Sequence, residues 1–194
     1  MKLIVSAAAL ALLLAACGPA PAPPPTESAP APAQPAAPPP PSYPPVEPIA
    51  PGQPGGLPDD RTPISEAPFT PTSAQGAANV VQTYFAHIGQ KDYAAAYALW
   101  SGNGEASNMT AQQFTDSFAR YYEYRAQVGA PGEIEGAVGS LYVTVPVQIY
   151  GRLATGEEFH QRGDAVLRRI NDVDGSTESQ RQWHISMIEV KAVP

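Results

Sequence analysis

Proline decides where this chain can fold. Of its 24 prolines, 21 lie between Pro19 and Pro71, leaving only Pro131, Pro146 and Pro194 for the rest. Proline fixes φ and lacks an N–H, so helix interiors and central strands do not accept runs of it. Runs such as Pro23-Pro24-Pro25 and Pro38-Pro39-Pro40-Pro41 favour extended polyproline II instead, at about 3.1 Å per residue. Interleaved with Ala, Gly, Ser and Thr, they bury too little apolar surface to offset the entropy of ordering. Residues 17–71 therefore read as a disordered, semi-rigid spacer, reaching on the order of 150 Å if fully extended. A rarer use of such a segment is as a ligand for proline-recognition domains. Tyr43, Val46, Ile49 and Phe69 are sparse apolar points within it, able to dock on a partner or on the domain that follows.

The stretch before the spacer has a different chemistry. Lys2 gives a short positive start, Leu3 to Leu14 form an apolar run, and small residues follow. That is the pattern of a secretory signal, too short to span a bilayer permanently. Leu14-Ala15-Ala16-Cys17 places the chain's single cysteine directly behind it. A lone thiol in an oxidising compartment is an odd leftover unless it is used. The four residues resemble the lipobox of bacterial lipoproteins. The resemblance implies a signal peptide over residues 1–16, removed before Cys17, and a diacylglyceryl group on the Cys17 thiol. Each buried acyl CH₂ contributes about 0.8 kcal/mol, and stable anchoring takes about two chains. The aspartate typical of inner-membrane retention is absent at Gly18, so the resemblance points to the outer membrane. With Cys17 spent, the folded part has no disulfide and relies on its core.

Residues 72–194 are the size of one domain. They hold nine Lys and Arg against thirteen Asp and Glu. An acidic balance argues against nucleic acid, whose binding depends on neutralising phosphates. Val80, Val81, Tyr84, Phe85 and Ile88 share one helix face. Asp92 is placed to cap a short second helix carrying Tyr93, Tyr97 and Trp100, and Thr110-Ala111-Gln112-Gln113 matches a capping box before Phe114, Phe118 and Tyr121/Tyr122. After Tyr124 the period becomes two. Leu141, Val143, Val145, Val147 and Ile149 alternate with Tyr142, Thr144, Pro146, Gln148 and Tyr150, as in a half-buried strand. Pro146 marks an edge or a bulge. Strands follow over 158–170 and 181–193 around a turn at Asp174-Gly175, with weaker ones at 124–128 and near Ile134. Helices first and strands after indicate an α+β domain with helices on one face of an antiparallel sheet.

The run from Ala77 to Leu99, with its Gly89-Gln90-Lys91-Asp92-Tyr93 turn, resembles the opening of the NTF2-like superfamily. The resemblance implies a cone closed by a curved antiparallel sheet, and a tendency to pair through sheets that permits a homodimer. It does not imply one activity, because that superfamily includes isomerases, dehydratases, transport adaptors and accessory domains of cell-wall enzymes.

The chemistry-bearing residues are few. A proton-transfer site in such a cone needs a carboxylate beside a tyrosine or a protonated acid. Glu189 has the parity of Trp183 and Ile185, which turns it inward unless a bulge near Ser186 resets the register, but as a charge near a strand end it reads rather as reaching solvent. Asp116 falls on a polar helix side and Asp92 is a cap. His160 and His184 fall on the outer parity of neighbouring strands, short of the three or four ligands that zinc takes, and His87 flanks a helix. Asp172-Val173-Asp174-Gly175 lacks the spacing of a calcium loop and reads as a turn. No catalytic, cofactor or metal site is expected. Arg168-Arg169 reads as one solvated arginine and one covering a sheet edge. Tyr84, Tyr97, Trp100, Phe118, Tyr122 and Trp183 either line a ligand cavity or form an ordinary aromatic core. The expectation is a non-enzymatic envelope protein, membrane-anchored through Cys17, presenting its domain to an envelope protein partner. The alternatives are an apolar small-molecule binder, then an isomerase- or dehydratase-like enzyme.

Overall fold

The structure, a computed structural model, describes residues 41–59 and 69–193. Cys17, the signal pattern and most of the proline-rich segment lie outside the described residues.

Among the described residues, three α-helices precede the sheet. Helix α1 (Ala74–Gly89) starts where Ser73 accepts the Gly76 N–H on its side chain, and it buries Ala77, Ala78, Val81, Tyr84, Phe85 and Ile88. Asp92 caps α2 (Tyr93–Ala98) by accepting from Ala95 N. Thr110 and Gln113 form the reciprocal capping box of α3 (Ala111–Ser117). Each cap satisfies helix N–H groups that have no partner inside the helix.

Five antiparallel strands follow: β1 (Tyr121–Val128), β2 (Glu135–Ala137), β3 (Ser140–Leu153), β4 (Glu158–Ile170) and β5 (His184–Ala192). Their order is β1-β3-β4-β5, with the short β2 sharing the β1 edge of β3. The domain is α+β, with helices on one face of the sheet, as helical spacing followed by alternation predicts. The change falls earlier than expected, however, so Tyr121 and Tyr122 lie on β1 rather than on the third helix, and Trp100 lies past the end of α2. Pro146 sits inside the central strand yet costs no ladder bond. Its carbonyl accepts from Gly129 just past the end of β1, so its missing N–H falls in the gap between β1 and β2.

Leu167 pairs with Ile185 and Val166 with Met187, so Ser186 is the extra residue of a bulge. Beyond it Ile188 and Val190 take the inward parity and pack on the core. Glu189 turns outward instead, beside Lys191, with its side chain 63% exposed. Gly163 is required where β4 and β5 cross most closely: a Cβ there would lie 1.8 Å from the Glu189 carbonyl oxygen.

The alternation in β3 holds only for half the strand. Val143 and Val145 are buried while Thr144 is exposed, but from Val147 to Arg152 every residue is buried. The cover on the outer face is the proline-rich segment itself. The compact unit begins at Ser42, thirty residues before the expected boundary at Thr72, and Val46 and Leu57 are buried. Residues 42–59 are therefore not spacer but part of the domain. The reason is local: their carbonyls find donors on the sheet, and Tyr43, Val46, Ile49 and Leu57 supply the apolar contacts that the runs of proline and alanine lack.

Candidate functional site

The six aromatic candidates do not converge on one cavity. Tyr84, Trp100 and Phe118 are buried in the helix-side core. The Tyr84 ring meets Phe85, Trp100 and Phe114 edge-on, at centroid distances of 4.9, 6.1 and 6.4 Å. Phe114 bridges to Phe118 at 5.2 Å and to Tyr97 at 5.4 Å. Tyr97 flanks this cluster and donates its hydroxyl to the Met109 carbonyl at 2.8 Å, which ties down the loop after α2. Its ring lies against Gly104, whose φ of 106° and lack of a side chain allow the approach. Trp183 is at another end of the core, its indole N–H donated to Ser73 O at 3.0 Å. Tyr122 faces the other way, 46% exposed, with its ring edge-on to Tyr43 at 5.4 Å.

Polar groups are enclosed in the aromatic cluster. The Trp100 indole N–H faces the Tyr84 hydroxyl without well-formed hydrogen-bond geometry, so the buried nitrogen has no partner. Burial pushes the Tyr84 hydroxyl well above the ordinary tyrosine range. Tyr124 is partly buried, and desolvation raises its hydroxyl too, with Tyr84 and Tyr121 adding to the effect. Both tyrosines are therefore neutral hydrogen-bonding groups, and neither is a base at ordinary pH.

Two surfaces stand out besides the core. The first is a cleft of about 260 Å³ between the end of α1 and β1, which brings Phe118 and Tyr122 together with Tyr93, Tyr121 and Tyr124. Tyr93 stacks on Phe118 at 5.2 Å, and Lys91 and Arg125 stand at the rim.

The second is the seam holding residues 42–59. Gln148, fully buried, aligns its side-chain amide with the Ile49 backbone, donating to Ile49 O at 3.1 Å and accepting from Ile49 N at 2.8 Å. His160 Nε2 donates to Glu47 O at 2.9 Å, which fixes its tautomer, since a carbonyl only accepts. Arg152, 6% exposed, donates to Pro44 O at 3.1 Å and Gly156 O at 2.9 Å, and pairs with Glu158 at 2.7 Å. The Tyr43 ring covers the same guanidinium at 4.8 Å. Extended proline-rich backbone has no internal hydrogen bonds, so its carbonyls are free to accept. Side chains of even parity on β3 and β4 reach three of them here. Sequence reasoning placed Gln148 and His160 on the outer face but gave no signal for their partners, more than a hundred residues away along the chain for His160 and Arg152.

His160 and His184 do share the outer face, but His184 pairs with Arg168, eight positions along β4 from His160. No group of three His, Cys, Asp or Glu able to hold a metal occurs among the described residues. No helix among them is long and apolar enough to cross a membrane.

No protein-family model matches the chain, and no curated protein matches it. Among solved structures it is similar to a protein of Novosphingobium aromaticivorans described as a candidate aromatic ring hydroxylase. The two are 12% identical over 65% of this chain and 96% of that one, with a TM-score of 0.46. Likeness of that degree bears on neither family nor chemistry.

Proposed function

We propose that this chain is a lipid-anchored envelope protein whose α+β domain is a non-catalytic interaction module. The observation that carries the reading is the sequence Leu14-Ala15-Ala16-Cys17 standing ahead of a proline-rich chain whose far end is docked on the sheet. In this reading the mature chain begins at Cys17, acylated, on the outer membrane. The segment from Cys17 to Ser42 then sets the domain's distance from the lipid. At the polyproline II rise it spans at most about 80 Å, roughly half the reach of the whole proline-rich segment. The domain is presented to an envelope protein or to a second copy of itself.

The test is the N-terminal peptide isolated from the native host's membranes. An acylated Cys17 as first residue, with Cys17→Ser releasing the protein from the membrane fraction, is the expected result. An intact residue 1–16 segment, or unchanged membrane association of the Ser variant, would overturn the anchor. Crosslinking of the full chain in cells then supplies the partner or the homodimer.

A second reading, small-molecule binding, is favoured by the aromatic cleft bordered by Tyr93, Phe118 and Tyr121. Native mass spectrometry of the protein taken from its own host decides it: a non-covalent mass lost on denaturation supports a ligand, and a clean chain mass removes it. An isomerase- or dehydratase-like activity would need an acid inside the core, and Glu189 is turned outward.

A further inference from the structure

β5 begins at His184, opposite Arg168, so the end of β4 runs on without a β5 partner. At this notch Arg168, Arg169 and Ile170 border an open cleft of about 480 Å³. Its other walls are the turn from Ser101 to Asn103, the segment at Ser179 and Gln180, and His184. Among the described residues no carboxylate lines it, the side chain of Glu105 lying behind Gly102, although the chain carries a formal net charge of −7.

The arginines here are held but not neutralised. Arg168 donates Nε and Nη2 to Ser140 Oγ at 3.1 and 2.9 Å, which fixes the guanidinium against a neutral acceptor. Arg169 lies over the Trp183 ring at 5.3 Å, and its buried Nε has no hydrogen-bond partner among the described residues. The ion pairs among the described residues involve neither of them. Ring contact compensates a desolvated cation only in part. A half-buried guanidinium pair without a counter-charge is thus an electrostatic cost, and a bound anion would relieve it through charge-assisted hydrogen bonds. The opposite wall adds donors. Gly102 and Asn103 have φ of 67° and 54°, and their backbone N–H groups meet no backbone acceptor among the described residues. Successive N–H groups in such turns form anion-binding concavities.

We propose that this notch is a binding site for a small oxyanion, a carboxylate or a phosphate-type group, gripped by Arg168 and Arg169 and completed by the Gly102–Asn103 turn. Two adjacent residues of one strand reach it because β4 ends there, so the side chains from both faces can bend round the uncovered edge. The site is independent of the lipid anchor.

The test is a titration of the isotope-labelled full chain with inorganic phosphate and, separately, with acetate, at ionic strength held constant with sodium chloride. The readout is the Nε–H resonances of Arg168 and Arg169 and the amides of Gly102 and Asn103. Saturable shifts confined to these groups are expected. Tighter phosphate binding would assign a tetrahedral anion, and tighter acetate binding a carboxylate. Arg168→Gln should weaken binding about tenfold or more, the worth of a charged hydrogen bond, with the remaining spectrum unchanged. Arg162→Gln, six residues along the same strand, should leave it intact. Shifts that rise linearly with either anion, or equal affinity in the Arg168→Gln protein, would overturn the site. Should Arg169→Gln fail to fold through its contact with Trp183, Arg168→Gln alone decides, because among the described residues its hydrogen-bond partner is Ser140 Oγ.

Discussion

On the helix side of the sheet, Val143, Val145, Val147 and Ile149 of β3 are buried with Leu167, Ile185 and the rings of α1 and α3. On the other side of the same strand, Gln148 and Arg152 are buried just as fully, but against a proline-rich backbone held by hydrogen bonds. One face is closed by apolar area, which is non-directional and tolerates small shifts. The other is closed by donors that must meet particular carbonyls, so it is specific in register but weaker per residue. The helix-side core should thus set global stability, and the outer seam should open first as a local unit.

The comparison is broken most directly in the core. Leu167→Ala removes a fully buried side chain and should cost about 2–5 kcal/mol, seen as a lower urea midpoint shared by all probes. A loss confined to residues 42–59 would contradict the assignment of global stability to this face.

Alkaline pH probes the same face through Tyr84. Its folded-state pKa is raised above the ordinary value of 10.0 by burial. The unfolded chain releases this proton first, so its contribution is complete below pH 10 and is lost as pH climbs further. Tyr84 should contribute a fall of about 1.4 kcal/mol per pH unit beyond that point, and Tyr124, raised too, adds its own. Tyr84→Phe should reduce the slope by its share, and an unchanged slope would mean the hydroxyl is reached by water.

For the seam, Gln148→Ala leaves the Ile49 N–H and carbonyl without partners at a cost of about 1–3 kcal/mol. Hydrogen exchange should then accelerate at Ile49 and Val193, while amides in the middle of β4 keep their protection. Uniform acceleration across the sheet would show that the seam and the core open together.

The smallest effect belongs to the caps. Thr110→Ala deletes half of a capping box and should cost about 1 kcal/mol, without altering exchange at Ile49. A change there would reveal coupling through the sheet.

Much of the helix-side architecture was legible because its signals are local. A cap three residues from its partner, as at Asp92 and Thr110, and the order of helical then alternating spacing need no knowledge of distant chain, although the boundary itself was misplaced by a few residues, the strand starting at Tyr121. The bulge at Ser186 was legible only as a condition on Glu189. The parity of Trp183 and Ile185 could not itself say where the register slips, and the slip is decided by the pairing of Val166 with Met187. The aromatic candidates show the same limit. Spacing put Tyr84, Trp100 and Phe118 on inward faces, but whether rings that face inward touch or leave a gap depends on side chains from α1, α3 and β1 arriving together. Tyr122 went to the outer face because it neighbours Tyr121 on a strand, where successive residues point oppositely.

By itself the sequence determined the order of the elements, their caps, the inward set of residues, and the concentration of proline before Thr72. Each is a property of neighbouring residues and their backbone preferences. Tertiary structure alone decided that the compact unit begins at Ser42, inside the proline-rich segment, rather than at Thr72. Its free carbonyls carry no mark in the sequence of who will donate to them. Only when β3 and β4 pair do Gln148, Arg152 and His160 come to one face at the spacing of an extended chain, and only then does ordering residues 42–59 offset its entropy.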